Sequence, residues 1–97
     1  MKATAFSKER TAELVNKFRR RLDFTPFTME GVPHADEVNL TNDLWSALTG
    51  EEKGKILDNT RNMVAEKLKR RPEDVPEQTP YAKRLLFRYL QMEAKND

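Results

Sequence analysis

TGEEKGKILDNTRNMVAEKLKR, residues 49–70, carries the strongest helix signal in the chain. Thr49 and Glu52 have the T-x-x-E spacing of a capping box, in which each side chain accepts a hydrogen bond from the backbone amide of the other residue. Pro72 ends the pattern, because proline disfavours helical backbone in the residue before it. The segment therefore predicts a helix over 50–70, and the residues at helical spacing within it are Ile56, Leu57, Thr60, Met63, Val64 and Leu68.

A first helix is predicted over 7–22, where one apolar stripe runs along the sequence. Leu14, Phe18 and Leu22 recur every four residues, which places them on one face of a helix. Ser7 is a typical N-cap, because its hydroxyl accepts a hydrogen bond from an otherwise unpaired amide of the first turn.

Two further helices are predicted, a short one over 42–48 and a last one over 80–94. In this prediction Thr41 caps the short helix and Thr79 caps the last one. The last helix is apolar over much of its circumference, so we expect it to be central or shared with a partner. Its predicted stripe consists of Tyr81, Leu85, Tyr89 and Met92, widened by Leu86 and Leu90, with Phe87 on another side.

The connection over 23–40 is predicted to be a long loop. Pro26, Gly31 and Pro33 argue against a long regular element there. The loop is also apolar, so we expect it to pack across the helices or to contact a partner. A short strand pair within 24–33 stays open at this point.

A proline-rich loop over 71–79 forms the second long connection. Helical periodicity in four segments and the absence of a clear strand pattern predict an all-α fold of about four helices. The length of 97 residues corresponds to one domain, so we expect residues 1–97 to form a single helical domain.

Composition excludes several classes of function. The chain has no cysteine, which excludes a disulfide framework, a thiolate zinc site and a cysteine nucleophile. His34 is the only histidine, and neither it nor the neighbouring Asp36 and Glu37 match a metal or catalytic motif, so we interpret them as a solvated turn. We expect a protein that is not an enzyme and that binds no cofactor or metal.

The sequence also bears on location and charge. The segment MKATAFSKER at 1–10 lacks the apolar run of a signal peptide, and no stretch is apolar enough to span a bilayer. We therefore expect a cytoplasmic protein that does not bind membranes. The net charge is only +2, so nucleic-acid binding depends on whether the basic residues cluster.

Basic residues form three groups: KFRRR at 17–21, KLKRR at 67–71, and Lys83 with Arg84 and Arg88. If the groups converge, they form a positive patch that binds phosphates or an acidic protein surface. Otherwise they are the solvated faces of amphipathic helices. The basic residues proposed for partner binding are Arg19, Arg20, Arg21, Arg70, Arg71 and Arg88.

Apolar and proline residues supply the other binding candidates. Aromatic residues and methionine are enriched at protein interfaces, and several exceed what a simple helical stripe buries. Covering the core is the alternative role for each of them. Proline bonds in 71–80 suit a prolyl isomerase or a groove for extended peptides. These candidates are Phe24, Phe27, Met29, Trp45, Phe87, Pro72 and Pro76.

The stretches TAELVNKFRRRLDFTPF (11–27) and LTNDLWSALTGEEKGKILDNTRNMVAEKLKR (40–70) give the chain a resemblance to the bacteriophage anti-RecBCD accessory proteins. This resemblance implies a small protein that docks on the host RecBCD helicase–nuclease and alters its activity. Linear phage DNA ends would then escape degradation or enter phage recombination. It also implies recruitment of a host prolyl isomerase through the 71–80 loop.

Two other classes of function also fit the sequence. The first is a small basic protein that binds nucleic acid or regulates phage genes, although no helix-turn-helix or RNA-recognition pattern is present. The second is a homo-oligomeric structural module that associates through its last helix. Binding of a host protein complex by a non-enzymatic protein is the leading interpretation.

Overall fold

Four α-helices and one short 3₁₀ turn form the regular structure of residues 6–28 and 31–96, the residues that the computed structural model describes. The helices are α1 (Lys8–Phe24), α2 (Ala35–Ser46), α3 (Gly50–Leu68) and α4 (Thr79–Lys95), and the 3₁₀ turn is Pro72–Asp74. The predicted all-α fold of about four helices is confirmed. No strand occurs in these residues, so the described part of 24–33 contains no strand pair.

α1 begins and ends for local reasons that the sequence contains. The Ser7 hydroxyl accepts a hydrogen bond from the Arg10 amide at 3.1 Å, which confirms Ser7 as the N-cap. The helix continues past its predicted end at residue 22 and stops at Phe24. Thr25 has extended backbone, with φ −95° and ψ 117°, because the following Pro26 disfavours helical backbone at that position.

α2 differs most from its prediction. It begins at Ala35, well before the predicted start at residue 42, and His34 is its N-cap residue. Thr41, the predicted cap, lies inside the helix, where its hydroxyl donates to the Val38 carbonyl at 2.9 Å. The predicted loop over 23–40 is therefore wrong at residues 23–24, which belong to α1, and from residue 35 onward. The predicted 42–48 helix starts too late and runs two residues past the observed end at Ser46.

The composition of the buried face of α2 explains this error. Two of its four buried residues, Glu37 and Thr41, are polar, so hydrophobic spacing does not mark the face. The acidic first turn, with Asp36 and Glu37, suits the positive end of the helix dipole. Helix signals were therefore present at the start of α2, but apolar residues mark its buried face only from Leu40 onward.

α3 has the predicted start and a shorter end. The Thr49 amide donates to the Glu52 carboxylate at 2.9 Å, and the Glu52 amide donates to the Thr49 hydroxyl at 3.1 Å, so the capping box is confirmed. The helix ends at Leu68 and not at residue 70, because Lys69 has left-handed backbone with φ 56°. Pro72 begins the 3₁₀ turn and is not the residue that stops α3.

α4 starts one residue earlier than predicted. Its N-cap residue is Gln78, and Thr79 is the first helical residue. The Thr79 hydroxyl lies 3.0 Å from the Glu77 carboxylate, to which it donates, and it bonds no helix amide. The predicted Thr79 cap is therefore wrong. α4 contacts α1, α2 and α3, which confirms the expected central position.

The core lies between α1, α2 and α4. Tyr81 and Met92 of the predicted α4 stripe are exposed, whereas Phe87, predicted to lie on another side, is completely buried at 0% exposure. Small buried residues, Ala82 and Ala94, extend the actual stripe, and a search for large apolar side chains overlooks them. The buried core residues are Leu14, Val15, Leu22, Leu40, Leu44, Leu48, Leu86, Phe87, Leu90 and Ala94.

Candidate functional site

Gln91 holds the chain that follows α1 against α4. Its side chain is buried, and its amide group donates hydrogen bonds to the carbonyls of Leu22 at 3.3 Å and Thr25 at 2.9 Å. Carbonyls at the end of a helix have no helical amide left to donate to them. Here the side-chain amide of Gln91 is the donor. Gln91 therefore fixes the end of α1 on the central helix.

Phe27 packs inward from the same stretch of chain. Its ring centroid lies 5.7 Å from that of Phe87 in the core. The guanidinium carbons of Arg84 and Arg88 lie over the Phe27 ring, 4.5 and 5.1 Å from its centroid, which is the range of cation–π interactions. Phe27 is thus covered by α4, and two of the predicted binding residues, Phe27 and Arg88, contact one another.

An ion pair between the half-buried Arg84 and the buried Glu37 holds the backbone at Thr28. Glu37 is only 1% exposed, and one of its carboxylate oxygens accepts from Arg84 Nε at 2.7 Å. The other accepts from the Thr28 amide at 2.9 Å, and Arg84 also donates to the Thr28 carbonyl. The interpretation of Glu37 as part of a solvated turn is wrong, because this buried carboxylate of α2 bonds α4 and the loop between α1 and α2.

Phe24 lies at the end of α1 and is 80% exposed. It comes two residues after the buried Leu22, and a helical step of two residues points a side chain away from the core. The backbone around it cannot turn the ring inward, because Gln91 and the Glu37–Arg84 pair hold the chain on both sides of Pro26. Phe24 is therefore an aromatic side chain held in solvent by a fixed support.

Two clefts flank Phe24, and we call Phe24 and these clefts the Phe24 surface. Phe24 and Thr25 line both clefts. The first lies between the end of α1 and the start of α2, with a volume of about 360 Å³, and is also lined by Arg20, Arg21, Asp36 and Asn39. The second lies against α4, with a volume of about 610 Å³, and is also lined by Asp23, Pro26, Phe27, Arg88, Gln91 and Lys95.

The first and third basic groups therefore meet at the Phe24 surface. Arg20 comes from the 17–21 group and Arg88 from the α4 group, and each lines one cleft. Arg21 also lines the first cleft, but its guanidinium forms an ion pair with Asp43 at 2.7 Å. Partial convergence of the basic residues is thus a property of the fold.

The second basic group, at 67–71, does not line either cleft. Arg70 and Arg71 are exposed beyond the end of α3, and Arg71 forms an ion pair with Asp74 at 3.0 Å. Pro72 and Pro76 are also exposed, whereas Val75 between them is buried. These four candidates form a separate surface next to α3, which the 3₁₀ turn contacts.

The remaining predicted binding residues have mixed positions. Arg19 and Trp45 are half-buried, and Trp45 packs against the core. Phe87 is fully buried, so its candidacy for direct partner contact is corrected to a core role. Met29 lies outside the described residues.

A second ion-pair network ties α1 to the start of α3. Arg10 Nε lies 2.9 Å from a Glu52 carboxylate oxygen, and the guanidinium also donates to the Ala47 carbonyl at 2.9 Å. The Arg10 guanidinium lowers the pKa of Glu52, and the Glu52 carboxylate, followed by that of Glu13, raises the pKa of Arg10. This network stabilises the helix junction and lines neither cleft of the Phe24 surface.

Several residues of the site carry weak sequence signals. Gln91 looks like an ordinary polar residue of a helix, and Glu37 looks like a surface carboxylate. Only the pairing of a buried Glu37 with Arg84, 47 positions away, reveals its role. Helical periodicity accounts for the offset of Phe24 from the stripe through Leu22 only because α1 continues to Phe24, past the predicted end at residue 22.

In residues 6–28 and 31–96 no three histidine, aspartate or glutamate side chains converge as metal ligands do. None of the helices in these ranges is both long enough and apolar enough to cross a membrane. Comparison with protein-family models, curated protein sequences and solved structures finds no match to this chain.

Proposed function

We propose that this chain is a non-enzymatic binding protein that docks on another macromolecule through the Phe24 surface. The observation that carries the proposal is the 80% exposure of Phe24 on a backbone held by buried hydrogen bonds. An aromatic side chain on a rigid support loses little conformational freedom on binding, and such residues supply much of the binding energy at interfaces.

The proposed partner is a host protein complex, and RecBCD is the candidate to which the resemblance leads. In this role the chain acts in the bacterial cytoplasm and modulates the helicase–nuclease, so that phage DNA ends are protected or enter recombination. The exposed Pro72 and Pro76 support a second contact, with a prolyl isomerase, on the separate surface beside α3.

Binding to purified RecBCD tests this function directly. We expect a stoichiometric complex by size-exclusion chromatography and altered degradation of linear duplex DNA when the protein is added in excess. Phe24→Ala should weaken this complex, and Leu68→Ala is its matched control, because Leu68 is also an exposed apolar residue but lies at the end of α3. The absence of a complex together with unchanged DNA degradation would refute the proposal.

Nucleic-acid binding is the second candidate, and the meeting of Arg20 and Arg88 at one surface favours it. It predicts that a fluorescent single-stranded oligonucleotide binds with an affinity that falls steeply with salt, because phosphate contacts release counterions. Arg20→Ala should then weaken binding more than Lys67→Ala, which removes the same charge elsewhere. If the oligonucleotide does not bind, or binds with an affinity that is independent of salt, nucleic-acid binding is excluded.

A further inference from the structure

We infer that the Phe24 surface fits a folded protein whose own surface has an apolar pocket bordered by carboxylates, and that it does not fit a nucleic-acid strand. This inference rests on the proposed binding function and goes beyond it, because it assigns the chemistry of the partner. It follows from the arrangement of one aromatic side chain and of charges of both signs at the end of α1.

The apolar centre of this surface is Phe24. Its neighbours of the same type do not share its exposure, since Phe27 turns inward onto Phe87 and Phe18 is half-buried. A single exposed ring with clefts on both sides is shaped to enter a pocket on a partner. An aromatic side chain that fills such a pocket is the usual anchor of a protein interface.

Three cations surround this centre. Arg20 and Lys95 are exposed and make no ion pair within residues 6–28 and 31–96. Arg88 covers the Phe27 ring with its guanidinium and donates to the Gln91 side-chain oxygen at 3.4 Å, and both of these partners are neutral. Arg21 contributes less, because Asp43 neutralises it. These cations complement carboxylates at the edge of the partner's pocket.

Two carboxylates in the same clefts decide between the classes of partner. Asp36 lines the first cleft beside Arg20, and Asp23 lines the second cleft together with Arg88 and Lys95. A strand of phosphates that follows either cleft would meet one of these carboxylates and be repelled. An apolar centre within a rim of both charges is instead the usual anatomy of a protein–protein interface.

Site-specific photocrosslinking tests which class of macromolecule contacts this surface. Phe24→p-benzoylphenylalanine keeps an aromatic ring at the site, and Leu68→p-benzoylphenylalanine is the control at an exposed apolar position of α3. We expect irradiation in bacterial cells to yield a protein adduct at position 24, with apolar and acidic residues in the crosslinked peptide. An adduct with nucleic acid or with a second copy of the chain, no adduct, or adducts at position 68 alone would overturn the inference.

Binding rates measured with purified RecBCD as the probe test the charges separately. Arg20→Glu should slow association by about five- to tenfold relative to Lys67→Glu, and Asp23→Asn should accelerate it, because charged rims act mainly on association rates. Phe24→Ala should weaken the affinity by about thirtyfold or more, as expected for an anchor residue. Unchanged binding by the Phe24→Ala variant overturns the inference and the assignment of docking to the Phe24 surface, while binding of RecBCD by the chain would stand.

The two proposals fail in different ways. If the unmodified protein does not bind RecBCD, the RecBCD form of the proposed function is refuted. The photocrosslinking result then decides the partner chemistry by itself. If the unmodified protein binds and the Arg20→Glu and Lys67→Glu variants associate equally fast, the inference is overturned although the function stands.

Discussion

At the scale of single residues, two ion pairs of the same length lie in opposite surroundings. Arg84 and Glu37 are 2.7 Å apart, and the Glu37 side chain is buried. Arg21 and Asp43 are also 2.7 Å apart, but both side chains are exposed. A buried charge that loses its partner is costly, whereas an exposed charge is solvated by water. The first pair therefore matters for the fold far more than the second.

We predict that Glu37→Ala lowers the free energy of unfolding by about 3 kcal/mol, because it leaves Arg84 and the Thr28 amide without their acceptor. Asp43→Ala, the matched control, should cost less than about 1 kcal/mol. Urea unfolding followed by circular dichroism measures both values. Equal losses in the two variants would contradict the role assigned to the buried pair.

The two phenylalanines at 24 and 87 give a second contrast at this scale. Phe87→Ala should destabilise the protein by about 3–5 kcal/mol, because it empties a fully buried site. Phe24→Ala should change stability by no more than about 0.5 kcal/mol, since the side chain contacts mostly solvent. Thermal unfolding of the two variants checks this difference. A large loss of stability in the Phe24→Ala variant would place that ring in the core.

At the scale of the helix, the start of α3 combines a capping box with an ion pair to α1. Glu52 bonds the Thr49 amide within its own helix and the Arg10 guanidinium of α1. The two functions are separable by substitution. Glutamine keeps an acceptor for the Thr49 amide but removes the charge that attracts Arg10.

The lowered pKa of Glu52 sets the direction of a pH effect. Because the folded state disfavours protonation of this carboxylate, its stabilisation is present above the ordinary glutamate pKa and is lost as the pH falls through the lowered pKa. Glu52→Gln should therefore lower the melting temperature at pH 7 and make little difference at acidic pH. Melting curves of both proteins between pH 7 and pH 2 measure this, and a difference that grows in acid would refute it.

The glycine in the second turn of α3 has no packing role that the structure shows. A Cβ atom added at Gly54 meets no other atom within 4 Å. Gly54→Ala should therefore raise stability by about 0.5–1 kcal/mol, because alanine restricts the unfolded chain and favours helix. Gly31→Ala should have the opposite effect, since Gly31 has φ +80°, a conformation that alanine rarely adopts. Chemical denaturation of both variants shows whether each substitution raises or lowers the free energy of unfolding.

At the scale of the whole molecule, α4 is the helix that the other three share, and α3 is the least embedded. The main buried cluster comes from α1, α2, α4 and the turn after α2, and only the half-buried Ile56 of α3 packs against it. The two buried residues of α3, Thr60 and Ala65, lie outside that cluster. α3 is in contact with α4 and with the 3₁₀ turn, and the residue that follows this turn, Val75, is buried. We therefore expect a higher local stability for α4 than for α3.

Hydrogen exchange should reveal this difference in local stability between α4 and α3. Amides of α4 should exchange only through global unfolding, whereas amides in the second half of α3 should exchange through local opening and be less protected. Val75→Ala should reduce the protection of α3 further and leave that of α4 nearly unchanged. Equal protection of α3 and α4 in native-state exchange would contradict this account.

The sequence alone determined the features of this protein that depend on neighbouring residues. Ser7, Thr49 with Glu52, and Pro26 act within one turn of their own positions, so the starts of α1 and α3 and the all-α class were predictable. These features require no knowledge of what packs against the helix.

Tertiary structure decided the features that depend on distant partners. Glu37 is polar and marks a buried face only because Arg84 reaches it from α4, so the start of α2 was missed. Phe87 rather than Tyr81 faces the core because α1 and α2 cover that side of α4. Arg20 and Arg88 reach one surface only after α1 docks on α4. Each outcome depends on burial, and burial is set by which elements meet and not by the residues adjacent in the chain.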